Sequence, residues 1–120
     1  MDELIARLVA NVGVDREAAG KAVGVILDFL SKEGPPDKVQ ALIDKLPGGQ
    51  ALLDAQKGEG GGMFAMGGLM GAGTKMMAAG LSMGQVQGVT KEVIAYAREK
   101  AGEDTVGEIV GAIPGLSQFV

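Results

Sequence analysis

The chain has 120 residues and a net charge of −4, with 47% apolar residues, 3% aromatics, no cysteine and no histidine. Its length suits one domain, burying on the order of 65% of the surface an unfolded chain exposes, and an apolar stock so poor in aromatics favours helices over a β-sandwich. The missing residue types exclude thiol and imidazole catalysis, disulfides and the usual zinc or haem ligands, and the acidic balance leaves no footprint for nucleic acid.

Met1-Asp2-Glu3 is acidic where a secretory leader is basic, which predicts a retained, cytoplasmic chain. Leu4, Ile5, Leu8, Val9 and Val12 then recur at helical spacing, with Asp2 as the expected cap and Gly13 as the stop. Asp15 opens a longer helix, with Ala19, Ala22, Val23, Ile26, Phe29 and Leu30 inward and Arg16, Glu17, Lys21, Asp28 and Lys32 outward. Gly34-Pro35-Pro36 ends it, because proline restricts its predecessor to extended geometry. Asp37 is the expected cap of a third helix carrying Val39, Leu42, Ile43 and Leu46 inward, with Gln40 completing a near capping box. Pro47-Gly48-Gly49 turns the chain into a short segment at 50–54, and residues 57–62 read as a glycine-rich linker.

From Met63 the sequence alternates methionine, alanine and glycine, and residues 63–79 are expected to form one helix with its glycines at close contacts. Ser82 and Gln85 make a capping box for the next helix, which carries Val86, Val89, Val93, Ile94 and Ala97 on one face and stops at Gly102. Lys91, Arg98 and Lys100 alternate with Glu92, Glu99 and Glu103 as a solvated face. Asp104 is the expected cap of a last helix with Val106, Ile109, Val110 and Ile113, and Phe119-Val120 is expected to pack against the domain.

The two ends of the chain are versions of one another. Setting Pro47 on Pro114, an offset of 67 positions, brings Gly13-Val14-Asp15 onto Gly80-Leu81-Ser82 and Asp37-Lys38-Val39 onto Asp104-Thr105-Val106 without a gap. The same shift sets Val25-Ile26-Leu27-Asp28-Phe29 over Glu92-Val93-Ile94-Ala95-Tyr96. The aligned residues are turn formers, caps and core, so the repeat specifies architecture and no chemistry.

Signals for chemistry are sparse. Gly68 and Gly73 have the spacing of a phosphate loop, but Thr74-Lys75 follow in reversed order and no apolar strand precedes them. Glycine pairs four apart, Gly20 with Gly24, Gly67 with Gly71 and Gly84 with Gly88, share helix faces and allow close backbone approach. The apolar run at 60–73 is too short to span a bilayer, which needs about 20 residues. Carboxylates are the remaining catalytic candidates; Asp15, Asp37 and Asp104 read as caps, and Glu3, Glu17, Glu33, Glu99 and Glu108 as exposed faces.

Two segments carry a family resemblance: Ala41-Leu42-Ile43-Asp44-Lys45-Leu46-Pro47 and Val106-Gly107-Glu108-Ile109-Val110-Gly111-Ala112-Ile113-Pro114-Gly115-Leu116. With them the chain resembles a bacterial domain family of unknown function made of two tandem helical repeats, each closing on a Leu/Ile-Pro box. The resemblance implies an all-α bacterial cytosolic fold without catalysis. The expected molecule is thus one all-α domain over 1–120, with pseudo-symmetric three-helix repeats at 2–54 and 63–120. Its expected role is a non-enzymatic interaction or assembly module with no cofactor, metal or catalytic residue, engaging a protein partner or a second copy through Met63, Met66, Gly67, Met70 and Gly71. The rival reading is a binder of a small apolar ligand or lipid in a methionine-lined groove between the repeats.

Overall fold

The caps and breaks in the chain set most of its helix boundaries. The computed structural model describes residues 2–46, 48–58, 68–113 and 116, with the backbone alone at 55–58 and 68–72. Among them lie α1 (Asp2–Asn11), α2 (Arg16–Glu33), α3 (Pro36–Lys45), α4 (Gly49–Gly58), α5 (Gly68–Ala78), α6 (Met83–Ala101) and α7 (Glu103–Ala112), and no strand. The fold is all-α. Its radius of gyration of 12.7 Å is that of one compact globule, close to the roughly 13–14 Å expected for a domain of this length.

The two long helices begin alike. Asp15 caps α2 by accepting the Ala18 N–H at 2.7 Å. Ser82 and Gln85 cap α6 reciprocally, the Gln85 N–H donating to Ser82 Oγ at 3.3 Å and the Ser82 N–H to Gln85 Oε1 at 2.9 Å. Each cap follows a two-residue turn started by a glycine of positive φ, Gly13 at +85° and Gly80 at +107°, which other residues rarely adopt. Three other expected caps are corrected. α3 starts at Pro36 and α7 at Glu103, neither with a side-chain cap, because proline's fixed φ and Gly102's φ of +91° set those starts. Asp37 and Asp104 sit in the first turns, where their charge favours the helix dipole. Asp2 likewise belongs to the first turn of α1. Gln40 closes no capping box; its amide donates to Asp44 Oδ1 at 3.0 Å and Gln50 Oε1 at 3.3 Å.

The segment expected to be short, 50–54, is part of the ten-residue helix α4, which also takes in Lys57 and Gly58 of the expected linker. Gln50 donates to Asp54 Oδ1 at 2.9 Å along its first turns, Leu53 is buried, and the helix lies along α2. The first half of the chain therefore holds four helices, not three. The helix expected at 63–79 is described from Gly68 to Ala78; residues 63–67, the linker residues 59–62 and Phe119-Val120 lie outside the described residues.

α2 is the centre of the packing, in contact with α1, α3, α4, α5 and α6. Every residue from Ala22 to Leu30 is buried, including Gly24, Val25, Leu27 and Asp28. This corrects the amphipathic reading that put Asp28 outside: a helix buried on all sides has no solvent face to give it. Val9, expected inward, is instead exposed, while Leu4 and Leu8 fill the core side of α1. Helix boundaries recur at the offset of the repeat, with α2 and α6 starting at Arg16 and Met83 and α3 and α7 spanning Pro36–Lys45 and Glu103–Ala112. The first helix of each half also packs on the long helix of the other, α1 on α6 and α5 on α2.

At the α2–α3 corner a Cβ on Gly34 would lie 2.8 Å from the Leu30 carbonyl oxygen and 3.1 Å from a Val39 methyl, with Ile109 of α7 at 3.5 Å. Gly107 on α7 has open space where a Cβ would stand. Gly34→Ala is expected to cost about 1–3 kcal/mol through overpacking, whereas Gly107→Ala is expected to gain up to about 1 kcal/mol from helix propensity. Denaturant unfolding of the two variants checks the opposite signs.

Candidate functional site

Met63, Met66 and Gly67 of the expected interaction face lie outside the described residues, and Met70 and Gly71 are placed only as backbone of α5. Gly68 and Gly73, weighed as a phosphate loop, both lie within that helix. Of the glycines paired four apart, Gly88 makes a close approach: a Cβ there would lie 3.3 Å from both methyls of Val12. Gly20 has an ordinary contact with Ile5 at 3.9 Å, and Gly84 faces open space.

Among the described residues the structure assembles three groups of charged side chains, each joining two helices. Arg7 of α1 donates to Glu99 of α6 at 2.8 Å and lies 3.6 Å from Glu92. The hydrogen bond to Glu99, with the added charges of Glu99, Glu92 and Glu3, pushes the Arg7 guanidinium above its ordinary pKa. The same guanidinium stands 5.7 Å from the centroid of the buried Tyr96 ring, and the Lys100 ammonium 5.4 Å from it, both within cation–π range. Lys38 of α3 pairs with Glu108 of α7. Glu99 and Glu108 are exposed, as read from the sequence, and Glu92 is half-buried; all three also pair across helix contacts.

The third group is internal. Asp28, its side chain 8% exposed, meets Lys32 at 3.0 Å one turn along α2 and Lys75 of α5 at 3.8 Å. A carboxylate taken out of water needs its charge compensated; two ammoniums do that here. In each group the carboxylates face cations of the same chain, an arrangement suited to holding helices together. Among the described residues no group of three or more acidic side chains is placed to hold a metal ion, and no helix is long and apolar enough to cross a membrane.

Two large apolar side chains flank the α5–α6 turn and face solvent: Met77, 48% exposed, and Met83, 64% exposed. Met76, next to Met77, and Leu81, within the turn, are buried. The sequence reading missed this pair, although the repeat carried a signal for it. The positions matching Met77 and Met83 in the first half are Ala10 and Arg16, so methionine replaces a small and a charged residue. Asp28 had a signal too, as a lone charge inside the run Val25-Ile26-Leu27-Asp28-Phe29-Leu30.

No protein-family model matches this chain, no curated protein matches it in sequence, and no solved structure matches it.

The Asp28 group yields a contrast. Asp28→Leu removes a buried charge and restores apolar packing, with an expected stability within about 1 kcal/mol of the parent. The double variant Lys32→Ala, Lys75→Ala strands the carboxylate and is expected to cost about 3 kcal/mol or more. Chemical denaturation at constant salt measures both.

Proposed function

We propose that the chain is a non-enzymatic helical interaction or assembly module that engages a second copy of itself or a protein partner. The observation that carries this reading is the exposed pair Met77 and Met83 on either side of one turn. Methionine is unbranched and polarizable, and it suits surfaces that adapt to a partner. Supporting it, the ion pairs at Arg7, Asp28 and Lys38 tie helices of the chain to one another. A net charge of −4 favours a partner other than nucleic acid. A cytoplasmic location belongs to the same reading, as does membership of the bacterial tandem-repeat family, which rests on the two Leu/Ile-Pro segments alone.

Light scattering coupled to size exclusion tests the proposal, on the parent and on Met77→Lys and Met83→Lys. Both sites face solvent, so each substitution is expected to change stability by no more than about 0.5 kcal/mol. The parent is expected to show a mass above that of one chain at tens of micromolar, and the lysine variants the mass of a single chain. A single-chain mass for the parent at every concentration, with no protein co-purifying from its own cells, would overturn the reading.

A further inference from the structure

Two adjacent methionines near the end of α5 meet opposite environments. Met76 is 1% exposed and belongs to the core, while Met77, turned about 100° round the helix from it, is 48% exposed. Met83, more exposed still, opens α6 on the other side of the turn. The chain has no cysteine, so its sulfur is all methionine thioether. A dissolved oxidant reaches an exposed thioether and is kept from a buried one, and the product, a sulfoxide, is polar where the thioether is apolar.

The turn between the helices is closed by main-chain hydrogen bonds, from the Gly80 N–H to the Met77 carbonyl at 3.0 Å and from the Leu81 N–H to the Met76 carbonyl at 3.2 Å. The Ser82 and Gln85 capping box fixes the start of α6. A change at the Met77 and Met83 sulfurs therefore leaves these ties in place and alters the surface beside them.

We propose that Met77 and Met83 form a paired site of reversible oxidation by peroxides, at which modification turns the exposed apolar pair polar. The thioether sulfur attacks one oxygen of hydrogen peroxide; an S–O bond forms as the O–O bond breaks, and sulfur gives up two electrons. The leaving hydroxide takes the proton of the transferred oxygen and departs as water. In the return step two thiols join as a disulfide while the sulfoxide oxygen leaves as water. The chain holds no thiol, so an external thiol-dependent sulfoxide reductase supplies that step. Release of a bound copy or partner on oxidation is a further consequence, and it rests on the proposed assembly through the same pair.

Millimolar hydrogen peroxide on the native full chain, followed by peptide mass mapping with fragmentation to separate Met76 from Met77, tests the site. Met77 and Met83 are each expected to gain one oxygen at least about 10-fold faster than Met76. Met76 keeping pace with the other two in the native chain would overturn the site. Hydrophobic-interaction chromatography reads the polarity of the surface, against the double variant Met77→Leu, Met83→Leu, which keeps apolar bulk and has no sulfur there. Oxidised parent is expected to elute earlier by a clearly larger shift than peroxide-treated variant; equal shifts would overturn the role given to this pair. Sulfoxide reductases for both epimers, with dithiothreitol, are expected to restore the parent's elution, and no return would overturn reversibility. In light scattering the oxidised parent is expected to fall to one chain while the treated leucine variant stays assembled. A parent that is a single chain from the outset overturns the assembly reading and the release with it, while the mapping still decides the oxidation site.

Discussion

The structure depends on one helix being buried on all sides. From Ala22 to Leu30 every residue of α2 is buried, and a helix in that position leaves its neighbours little choice. It needs cover around its whole circumference, which α1, α3, α4, α5 and α6 provide. The apolar gain of such a stretch is large, at about 1.5–3 kcal/mol for each fully buried large aliphatic side chain. It also makes the placement of any polar group there consequential, which is why Asp28 sits between Lys32 and Lys75.

Comparison of α2 with α6 shows where the two halves part. The buried residues of α6, Val86, Val89, Thr90, Val93, Ile94, Tyr96 and Ala97, fall at the repeat offset on Ala19, Ala22, Val23, Ile26, Leu27, Phe29 and Leu30, all buried in α2. The additional buried positions of α2 between Ala22 and Leu30 are Gly24, Val25 and Asp28, which share one side of the helix. Their matches are Lys91, Glu92 and Ala95, none of them buried. At two of these three positions α6 carries a charged residue, Lys91 and Glu92, where α2 has Gly24 and Val25. α6 can therefore face solvent on that side, and α2 cannot. α4 lies along α2, and among the described residues no helix takes a corresponding place on α6.

Much of this was legible from residues whose meaning is local. Asp15, Ser82 with Gln85, Gly13, Gly34-Pro35-Pro36 and Gly102 mark boundaries through backbone chemistry that needs no tertiary context. What failed to show depended on packing. Gln50 to Lys57 is a run of helix-compatible residues behind a Pro-Gly-Gly turn, and its length was hidden because its stability comes from lying on α2. Asp28 looked like surface because a charged residue usually is, and only the run of apolar neighbours argued otherwise. The exposure of Glu99 and Glu108 is legible in the sequence, and their pairing with Arg7 and Lys38 is not, because those partners are distant along the chain. Met77 and Met83 are exposed, and the sequence marks them only through the small and the charged residue, Ala10 and Arg16, that stand 67 positions earlier.

The claim that α2 is enclosed by its own chain is tested most directly at Val25, whose match on the solvent side of α6 is Glu92. Replacing Val25 by glutamate gives α2 the residue that α6 tolerates at the same place in the repeat. Equilibrium denaturant unfolding of Val25→Glu should then show a loss of at least about 4 kcal/mol, because an unpaired carboxylate is forced into an apolar interior. A variant within about 0.5 kcal/mol of the parent would place Val25 at the surface and contradict the enclosure of α2.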